Sequence, residues 1–295
     1  MPGESSSSGE KNYYVDVAPQ NDTFFLKGLG GYDWGLQDRM SRIFNPKSGR
    51  TIMLAFDHGY AYGPTSGLER MDVTVTPLIE HVDCLMCTRG ALRSVVPSNS
   101  NKPVSLRVTA GTSILDERVF ENECMGCDIE EAVRLNASAM AVQVCIGAQN
   151  ERTTIENLIK AVDTGNKYGI PVLGVTAIGK ELVRDARYMG LATRMLAEMG
   201  AHFVKTYHTE ENFEQVVAGC PVPIVIAGGK KLPEKEALQM CYRAINEGAA
   251  GVDMGRNIFQ AGNPIAMCKA VAAVVHENKS VDEAFEMYET LAAEA

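Results

Sequence analysis

The segment AHFVKTYHTEENFEQVVAGCPVPIVIAGGKK, residues 201–231, decides the fold class. It contains two short apolar runs, HFVKT and VPIVIA, which end near Thr206 and Ala227. Continuous apolar runs of this length predict strands that are buried on both faces of a parallel sheet. The residues between the runs are numerous enough for a crossover connection. The segment therefore predicts a strand, a crossover and a second, parallel strand.

The same pattern recurs along most of the chain. Six further apolar runs end near Phe56 (TIMLAF), Cys87 (VDCLMC), Val108 (PVSLRV), Cys145 (AMAVQVC), Thr176 (PVLGVT) and Met254 (AGVDM). The eight strand ends are on average about 28 residues apart, which is the size of a strand with its return helix. Thr154–Tyr168 and Pro233–Glu247 show the expected helical periodicity between strands. The pattern predicts an α/β protein, a (β/α)8 TIM barrel.

An open, doubly wound sheet fits the sequence less well. Such a sheet normally carries a glycine-rich fingerprint after its first strand. The corresponding turn here reads FDHGYAYGP, residues 56–64, and does not match G-x-G-x-x-G. Dinucleotide binding is therefore not expected.

Three more helices are predicted outside the eight units. One spans Asp33–Phe44 and precedes the barrel, and two, Pro264–His276 and Val281–Ala293, follow it. The apolar faces of the two C-terminal helices need cover from the barrel or from another subunit. Residues 1–22 are rich in serine, glycine and charge and predict a mobile N-terminal arm. Residues 23–295 then form a single TIM-barrel domain.

Composition excludes several classes of function. The 295 residues include 28 Lys and Arg against 37 Asp and Glu, and the formal net charge is −9. An acidic chain of this kind is not expected to bind nucleic acid, which needs a basic face. No apolar run approaches the roughly 20 residues of a membrane helix, and the start, MPGESSSSGEKNYY, lacks the features of a secretory signal. We expect a cytoplasmic protein with no membrane partner.

The eight cysteines include two CxxC pairs, which raises the question of a metal site. Cys84 and Cys87 lie within one predicted strand, where positions three apart face opposite sides. Cys124 and Cys127 lie in a polar stretch, and a metal or redox role stays open for them. We expect no metal site and ordinary reduced thiols.

The sixth predicted strand places a lysine at the barrel mouth. By alternation Ala201, Phe203, Lys205 and Tyr207 share one face, so Tyr207 belongs to the same candidate site as Lys205. An ammonium pointing into a barrel is costly unless it is paired or loses its proton. Burial and cationic neighbours favour a neutral amine, which attacks carbonyl carbons. The alternative is a structural lysine that reaches solvent or pairs with a carboxylate.

Polar residues also follow the first, seventh and eighth strands, where barrel enzymes carry their sites. Asp57 and His58 end the first strand, and they either cap a turn or transfer protons. The loops after the last two strands commonly bind phosphate. They do so through cations and through main-chain N–H groups, which the phosphate can approach closely where the residue is glycine. The corresponding residues here are Gly228, Gly229, Lys230, Gly255 and Arg256. A phosphorylated ketone is the expected substrate class, and an aldolase-like lyase or an acyltransferase the expected enzyme.

Several of these segments match a known family. The sequence resembles the archaeal-type class I fructose-bisphosphate aldolases and deoxyribose-phosphate-aldolase-like barrels in LAFDHGY (54–60), VKTY (204–207), IVIAGGKK (224–231) and GVDMGRNIF (251–259). The resemblance implies a Schiff base at Lys205. It also implies phosphate binding by the glycine loops after the seventh and eighth strands. Finally, it implies a ring-based homo-oligomer, a decamer.

The sequence departs from this family after the fifth strand. The aldolases have a proton-donating tyrosine there, whereas this chain reads VTAIGK, residues 175–180, with Thr176 as the expected replacement. Lys180 and Arg184 follow and could contact phosphates of a substrate or a coenzyme. Without the tyrosine, cleavage of fructose bisphosphate is disfavoured, and a thiolase-like step, in which coenzyme A attacks a ketone, is favoured.

Three hypotheses follow from these observations. The first is Schiff-base-dependent acetyl transfer from a phosphorylated diketone to coenzyme A, giving acetyl-CoA and dihydroxyacetone phosphate, with Asp57 or His58 transferring protons. In this hypothesis coenzyme A is a co-substrate and no cofactor is bound. The second is a class I aldolase acting on fructose bisphosphate or another phosphorylated sugar. The third is a binder of phosphorylated metabolites without activity, since a fold does not determine a function.

Overall fold

The computed structural model describes residues 17–18, 24–64, 67–179 and 182–294. Its strands are β1 (Thr51–Ala55), β2 (Cys84–Thr88), β3 (Val104–Arg107), β4 (Thr109–Ala110), β5 (Cys124–Met125), β6 (Ala139–Ile146), β7 (Val172–Ile178), β8 (Phe203–Tyr207), β9 (Ile224–Ala227) and β10 (Gly251–Met254). All except β4 and β5 pair in parallel as a closed barrel, in the order β1, β2, β3, β6, β7, β8, β9, β10 and back to β1. The predicted TIM barrel is confirmed, because each of the eight apolar runs forms one barrel strand.

Helices surround the barrel and connect its strands. They are α1 (Trp34–Ile43), α2 (Gly59–Tyr62), α3 (Met71–Thr74), α4 (Arg89–Val95), α5 (Ile129–Arg134), α6 (Glu151–Tyr168), α7 (Ala186–Glu198), α8 (Phe213–Gly219), α9 (Glu234–Asn246), α10 (Arg256–Phe259), α11 (Pro264–Glu277) and α12 (Val281–Ala293). The three predicted extra helices are confirmed as α1, α11 and α12. Their ends follow the local chemistry, since Asp33 accepts a hydrogen bond from the Leu36 N–H at 2.9 Å and so caps α1.

Side chains alternate between the inside of the barrel and the layer beneath the helices. Met53, Phe203 and Val225 are buried inside the barrel. Cys84 lies in the same inner cluster, whereas Cys87 lies in the outer one, as the alternation rule predicts. Because the two thiols face opposite sides, they cannot ligate one ion together.

Ala201 departs from the prediction that it shares the inner face of its strand. It precedes β8 and packs in the outer cluster rather than inside the barrel. The physical reason is that β8 begins only at Phe203, so the alternation does not extend back to Ala201. The inner face of β8 therefore consists of Phe203, Lys205 and Tyr207.

Helix α1 covers the end of the barrel opposite the carboxyl ends of the strands. Its residues Met40 and Ile43, and Phe44 just after it, are fully buried against the inner cluster. The ring of Phe44 meets that of Phe203 edge to face, with centroids 5.5 Å apart. This apolar packing leaves the carboxyl ends of the strands as the place for polar chemistry.

The C-terminal helices α11 and α12 find their cover within the chain. Helix α11 packs against α9, α12 and β1, and α12 packs against α9. Met267, Val271 and Val274 are almost fully buried as a result. Of the two predicted kinds of cover, the barrel or another subunit, the structure shows the first.

A two-stranded antiparallel sheet was not predicted. Thr109 of β4 pairs with Met125 of β5, and Ala110 pairs with Cys124. Two-residue strands carry no periodicity, so no pattern in the sequence predicts them. The pairing places Cys124 on a strand rather than in a polar loop. Among the described residues, no group of three or more His, Cys, Asp or Glu side chains is arranged to hold a metal ion.

Two predictions concern residues outside those that the structure describes. Apart from residues 17–18, the proposed N-terminal arm, 1–22, lies outside the described residues. Lys180, a candidate for phosphate contact, also lies outside them. In the described part of the chain, every helix is too short or too polar to cross a membrane.

Candidate active site

A cavity of about 420 Å³ opens at the carboxyl ends of the barrel strands. Every predicted site residue that the structure describes lines it: Asp57, His58, Thr176, Lys205, Tyr207, Gly228, Gly229, Lys230, Gly255 and Arg256. Further polar residues that the sequence analysis did not select also line it: Arg107, Gln143 and Asp253. The fold thus gathers the candidates from most barrel strands into one site.

Lys205 lies on the inner face of β8, and its side chain is 11% exposed. Its Nζ is 2.9 Å from Oδ2 of Asp253 on β10 and 3.5 Å from Sδ of Met86 on β2. The nearest charged partner is thus a carboxylate, and not a cation as expected. This contact satisfies the requirement that a buried ammonium be paired.

Asp253 faces the barrel interior from the apolar run GVDM, and its side chain is fully buried. Burial raises the pKa of Asp253, and the nearby Lys205 opposes that rise. Apart from the ion-pair contact, neither carboxylate oxygen has a hydrogen-bond partner among the described residues. Asp253 is therefore a buried carboxyl group that can take up a proton beside the amine.

Asp57 forms an ion pair with Arg107, a site residue that was not predicted from the sequence. Arg107 Nη1 donates to Asp57 Oδ2 at 2.7 Å, and Nη2 donates to Gln143 Oε1 at 3.1 Å and to Glu123. Burial alone would raise the pKa of Asp57, but Arg107, with smaller contributions from Lys205 and His58, lowers it below its ordinary value. Asp57 therefore stays ionised near neutral pH.

Glu123 directly precedes β5, and the pairing of β5 with β4 brings its side chain to Arg107. Its carboxylate accepts hydrogen bonds from Tyr60 Oη at 3.0 Å and Thr109 Oγ1 at 2.6 Å. Its main-chain oxygen accepts another from Asn157 Nδ2 at 2.8 Å. The network fixes the guanidinium, and through it the carboxylate of Asp57.

His58 follows Asp57 and stands between aromatic rings. Its ring lies parallel to that of Phe259, with centroids 6.1 Å apart, and meets the Tyr62 ring edge to face at 6.0 Å. Burial lowers the pKa of His58, Asp57 opposes this, and Arg256 and Lys205 reinforce it. The imidazole is therefore neutral near pH 7 and able to accept a proton.

The loops after β9 and β10 are joined to each other by Asn257. Its Nδ2 donates to the main-chain oxygen of Gly228 at 2.6 Å, and its Oδ1 accepts from the Leu232 N–H at 2.7 Å. Lys230 and Arg256, one from each loop, are exposed at the cavity. Two cations beside glycine-rich main chain can hold a phosphate group.

Glycine is required at one position of these loops and favoured at another. A Cβ at Gly255 would lie 2.3 Å from the main-chain oxygen of Ala55, a distance that no side chain tolerates. Gly229 has a φ of +67°, in the left-handed region that favours glycine. The close approach at Gly255 ties the β10 loop to the end of β1.

The structure corrects the assignment of Thr176 as the replacement for the family tyrosine. Thr176 Oγ1 lies 2.9 Å from Thr206 Oγ1, which in turn contacts Met189 of α7 in the outer layer. The β7 residue paired with Lys205 is Val175. The Thr176 hydroxyl thus points away from the amine, so Thr176 contributes to the wall of the cavity but not as a proton donor.

Arg184 marks one further edge of the cavity. Its guanidinium lies 3.8 Å from the centre of the Tyr207 ring, a cation–π stack at the end of β8. Arg184 is exposed, so the stack holds a positive charge at the opening. A second anionic group entering the cavity would meet it there.

Known proteins support the family resemblance. Residues 51–261 match the model of the DeoC/LacD family of aldolases. The chain is 59% identical to the 3-hydroxy-5-phosphonooxypentane-2,4-dione thiolase of Escherichia coli strain K12, over 94% of this chain and 95% of that protein. It is 60% identical to the protein of the same name from Klebsiella pneumoniae, over 95% of this chain and 94% of that one.

Solved structures agree with these relatives. An archaeal fructose 1,6-bisphosphate aldolase superimposes with a TM-score of 0.73 at 25% identity, over 82% of this chain and 99% of that one. Another archaeal aldolase structure, with its catalytic lysine covalently bound to the carbinolamine intermediate, gives a TM-score of 0.72 at 25% identity, with the same coverage. Sequence and structure agree that this chain belongs to the DeoC/LacD family of aldolases.

Proposed function

We propose that this protein transfers the acetyl group of 3-hydroxy-5-phosphonooxypentane-2,4-dione to coenzyme A, giving acetyl-CoA and dihydroxyacetone phosphate. The observation that carries the proposal is the placement of Lys205. Its amine is buried on β8, and the next two strands end in the glycine loops with Lys230 and Arg256. The two relatives described above carry the name of this thiolase. Their identity of 59–60% over nearly the whole chain supports the choice of substrate.

The loops bind the phosphate and so bring the neighbouring ketone to Lys205. The amine condenses with that ketone and releases water, which leaves an iminium. Coenzyme A then attacks the acetyl carbonyl with its sulfur. The bond between the acetyl carbonyl carbon and the hydroxyl-bearing carbon next to it breaks. Its electron pair moves into the iminium. Acetyl-CoA leaves, and an enamine of dihydroxyacetone phosphate remains on Lys205.

One proton has to travel from the thiol to the carbon of the enamine. We assign this transfer to His58, because its lowered pKa leaves it neutral and able to take the thiol proton. Asp57 is the weaker candidate, since its pKa is lowered and Arg107 holds it as an anion. Asp57 instead stabilises the imidazolium that His58 becomes. Water then hydrolyses the iminium and restores the amine.

No bound cofactor takes part in this proposal, and coenzyme A is a co-substrate. Arg184 on its aromatic stack is the cation that we assign to a phosphate of coenzyme A. We propose that the protein acts in the cytoplasm, in the breakdown of phosphorylated autoinducer-2 and hence in quorum sensing. The eight unpaired cysteines agree with a reducing compartment.

We also propose a homo-oligomer, a decamer, on the strength of the family resemblance. Phe25 and Trp34 are 74% and 79% exposed near α1. Large apolar side chains left open in this way fit burial against another subunit. Light scattering on the purified protein gives its mass directly, and a monomeric mass would contradict the proposal.

The assay that tests the function measures acetyl-CoA formation from the diketone phosphate and coenzyme A. We expect the wild type to form acetyl-CoA, Lys205→Ala to form none, and Lys160→Ala, an exposed control on α6, to match the wild type. Full activity of Lys205→Ala would contradict the imine. Rapid cleavage of fructose 1,6-bisphosphate without coenzyme A would instead show an aldolase. Binding of dihydroxyacetone phosphate without turnover of any candidate would show a metabolite binder.

A further inference from the structure

We propose that Asp253 is a catalytic residue that takes the proton from Lys205 Nζ and later gives it to the departing hydroxyl of the carbinolamine. This inference rests on the proposed function, because it requires a Schiff base at Lys205. It adds to that function the group that makes the lysine nucleophilic and the intermediate able to lose water. The argument depends on contacts around the amine and not on the identity of the acyl acceptor.

The first support is the geometry of the pair. Asp253 Oδ2 lies 2.9 Å from Lys205 Nζ, within reach of direct proton transfer. The Asp253 side chain is fully buried, and the Lys205 side chain is 11% exposed. Among the described residues, no other carboxylate lies within 4 Å of this amine. A proton exchanged between the two atoms therefore need not pass through solvent.

The second support is that, apart from Lys205, no described residue donates a hydrogen bond to the Asp253 carboxylate. Both of its oxygens are buried and make no hydrogen bond with the described residues, although one forms the ion pair. A buried carboxylate kept only for structure is normally surrounded by donors. Asp57 in the same cavity is such a carboxylate, because Arg107 donates a hydrogen bond to it at 2.7 Å. Asp253 keeps its lone pairs available for a proton and a hydroxyl.

The charged and titratable groups around Asp253 come from three elements. Lys205 faces it from β8, Asp57 from the end of β1, and the thiol of Cys84 from β2. Burial raises the pKa of the Cys84 thiol, which stays neutral and donates no proton at working pH. The ionised Asp57 disfavours a second negative charge nearby and so favours the protonated form of Asp253. Asp57 thus helps Asp253 to hold the proton that Lys205 gives up, and the neutral Cys84 thiol does not compete for it.

The step balances with these two residues and the substrate. The ammonium of Lys205 gives one proton to the Asp253 carboxylate, which leaves a neutral amine and a neutral acid. The nitrogen lone pair forms a bond to the ketone carbon, and after proton transfer from nitrogen to oxygen a neutral carbinolamine results. The acid protonates the carbinolamine hydroxyl, the carbon–oxygen bond breaks, and water leaves. The products are an iminium on Lys205 and the Asp253 carboxylate, and hydrolysis runs the same steps in reverse.

The test measures how fast borohydride traps dihydroxyacetone phosphate on the enzyme, in the absence of coenzyme A. Asp253→Asn keeps the shape of the side chain but cannot take the proton, so we expect trapping to slow by about 100-fold or more at pH 7. Asp163→Asn, an exposed substitution on α6, is the matched control and should trap at the wild-type rate. Binding of inorganic phosphate by Asp253→Asn should remain as in the wild type, because the phosphate loops are unchanged.

The pH profile separates proton transfer from a structural role. In Asp253→Asn, hydroxide in the solvent must remove the proton, so trapping should rise by about tenfold per pH unit. The deficit relative to the wild type should therefore shrink as pH rises. Asp253→Ala provides a second measurement, since formate can enter the space left by the carboxylate and should restore part of the trapping rate.

Each outcome decides between the two proposals. Equal trapping rates and equal pH profiles in wild type and Asp253→Asn would overturn the role of Asp253 and leave the Schiff base intact. A deficit that is constant with pH, without rescue of Asp253→Ala by formate, would show a structural role and would also overturn it. A wild type that traps the adduct at Lys205 but forms no acetyl-CoA would overturn the proposed function alone. No adduct in the wild type would overturn both.

Discussion

Arg107→Met removes the cation at the centre of the buried network and should destabilise the protein strongly. The Arg107 side chain is 4% exposed and contacts Asp57 and Glu123, whose side chains are 8% and 0% exposed. Methionine fills a similar volume but leaves two buried carboxylates without their counter-ion. Breaking a buried pair in this way costs about 3–5 kcal/mol, a large part of the roughly 5–15 kcal/mol that holds a protein folded.

The pH dependence of this loss follows from the pKa of Asp57. In the wild type that pKa is lowered, so its contribution to stability is full above the unfolded value of about 3.9 and is lost only as pH falls below it. In Arg107→Met, burial is no longer opposed by Arg107, so Asp57 takes up a proton at higher pH. Protonation stabilises the folded variant. The deficit should therefore be largest at pH 8 and shrink towards pH 5.

Urea unfolding at pH 8 and pH 5 measures both effects, with the slope of the transition unchanged. Arg152→Met is the matched control, because Arg152 pairs with Glu156 at 3.0 Å while 91% exposed, and no measurable change is expected. A loss below about 1 kcal/mol would refute the reasoning from buried charges. A loss of the same size at both pH values would refute the role given to Asp57.

Two further predictions concern the cavity walls. Gly255→Ala should weaken the binding of inorganic phosphate by at least about tenfold in calorimetry, since the new Cβ would lie 2.3 Å from the Ala55 oxygen. Gly190→Ala is the control, because the space around Gly190 is open. Equal phosphate affinities of Gly255→Ala and the wild type would contradict the argument from the close approach. Thr176→Val should lose about 1 kcal/mol of stability with its hydrogen bond to Thr206, yet form acetyl-CoA at the wild-type rate. A loss of about 100-fold in that rate would instead make Thr176 a proton donor.

Much of the fold could be predicted because its signal is periodic and long. Eight apolar runs at regular intervals leave few alternatives, and glycines, prolines and acidic caps mark where helices begin and end. The β4–β5 sheet escaped prediction because its strands have two residues each. Its consequence is large nevertheless, since it places Glu123 beside Arg107.

The site could be predicted in part. The residues that were missed share the sequence pattern by which Lys205 was predicted. A charged or polar residue inside an apolar run, on the face that points into the barrel, marks the site. Asp253 in GVDM, Arg107 in VSLR and Gln143 in AMAVQVCI satisfy that rule as well as Lys205 does.

Thr176 shows what the sequence could not supply. Its position at the end of the fifth apolar run suggested that it faces the substrate. Its face depends on the register between β7 and β8, in which Val175 pairs with Lys205. A shift of one residue would have turned the hydroxyl inward. Register of this kind is set by neighbouring strands, so it cannot be derived from one segment alone.

The central claim is a Schiff base at Lys205, and trapping with borohydride tests it most directly. The protein is incubated with dihydroxyacetone phosphate and borohydride, digested, and examined by mass spectrometry for a modified lysine. The phosphate loops hold the anion, and the amine lies beside Asp253 at 2.9 Å, so we predict a single adduct on the peptide that carries Lys205. An adduct on Lys180 or Lys230 instead, or no adduct at all, would contradict the claim.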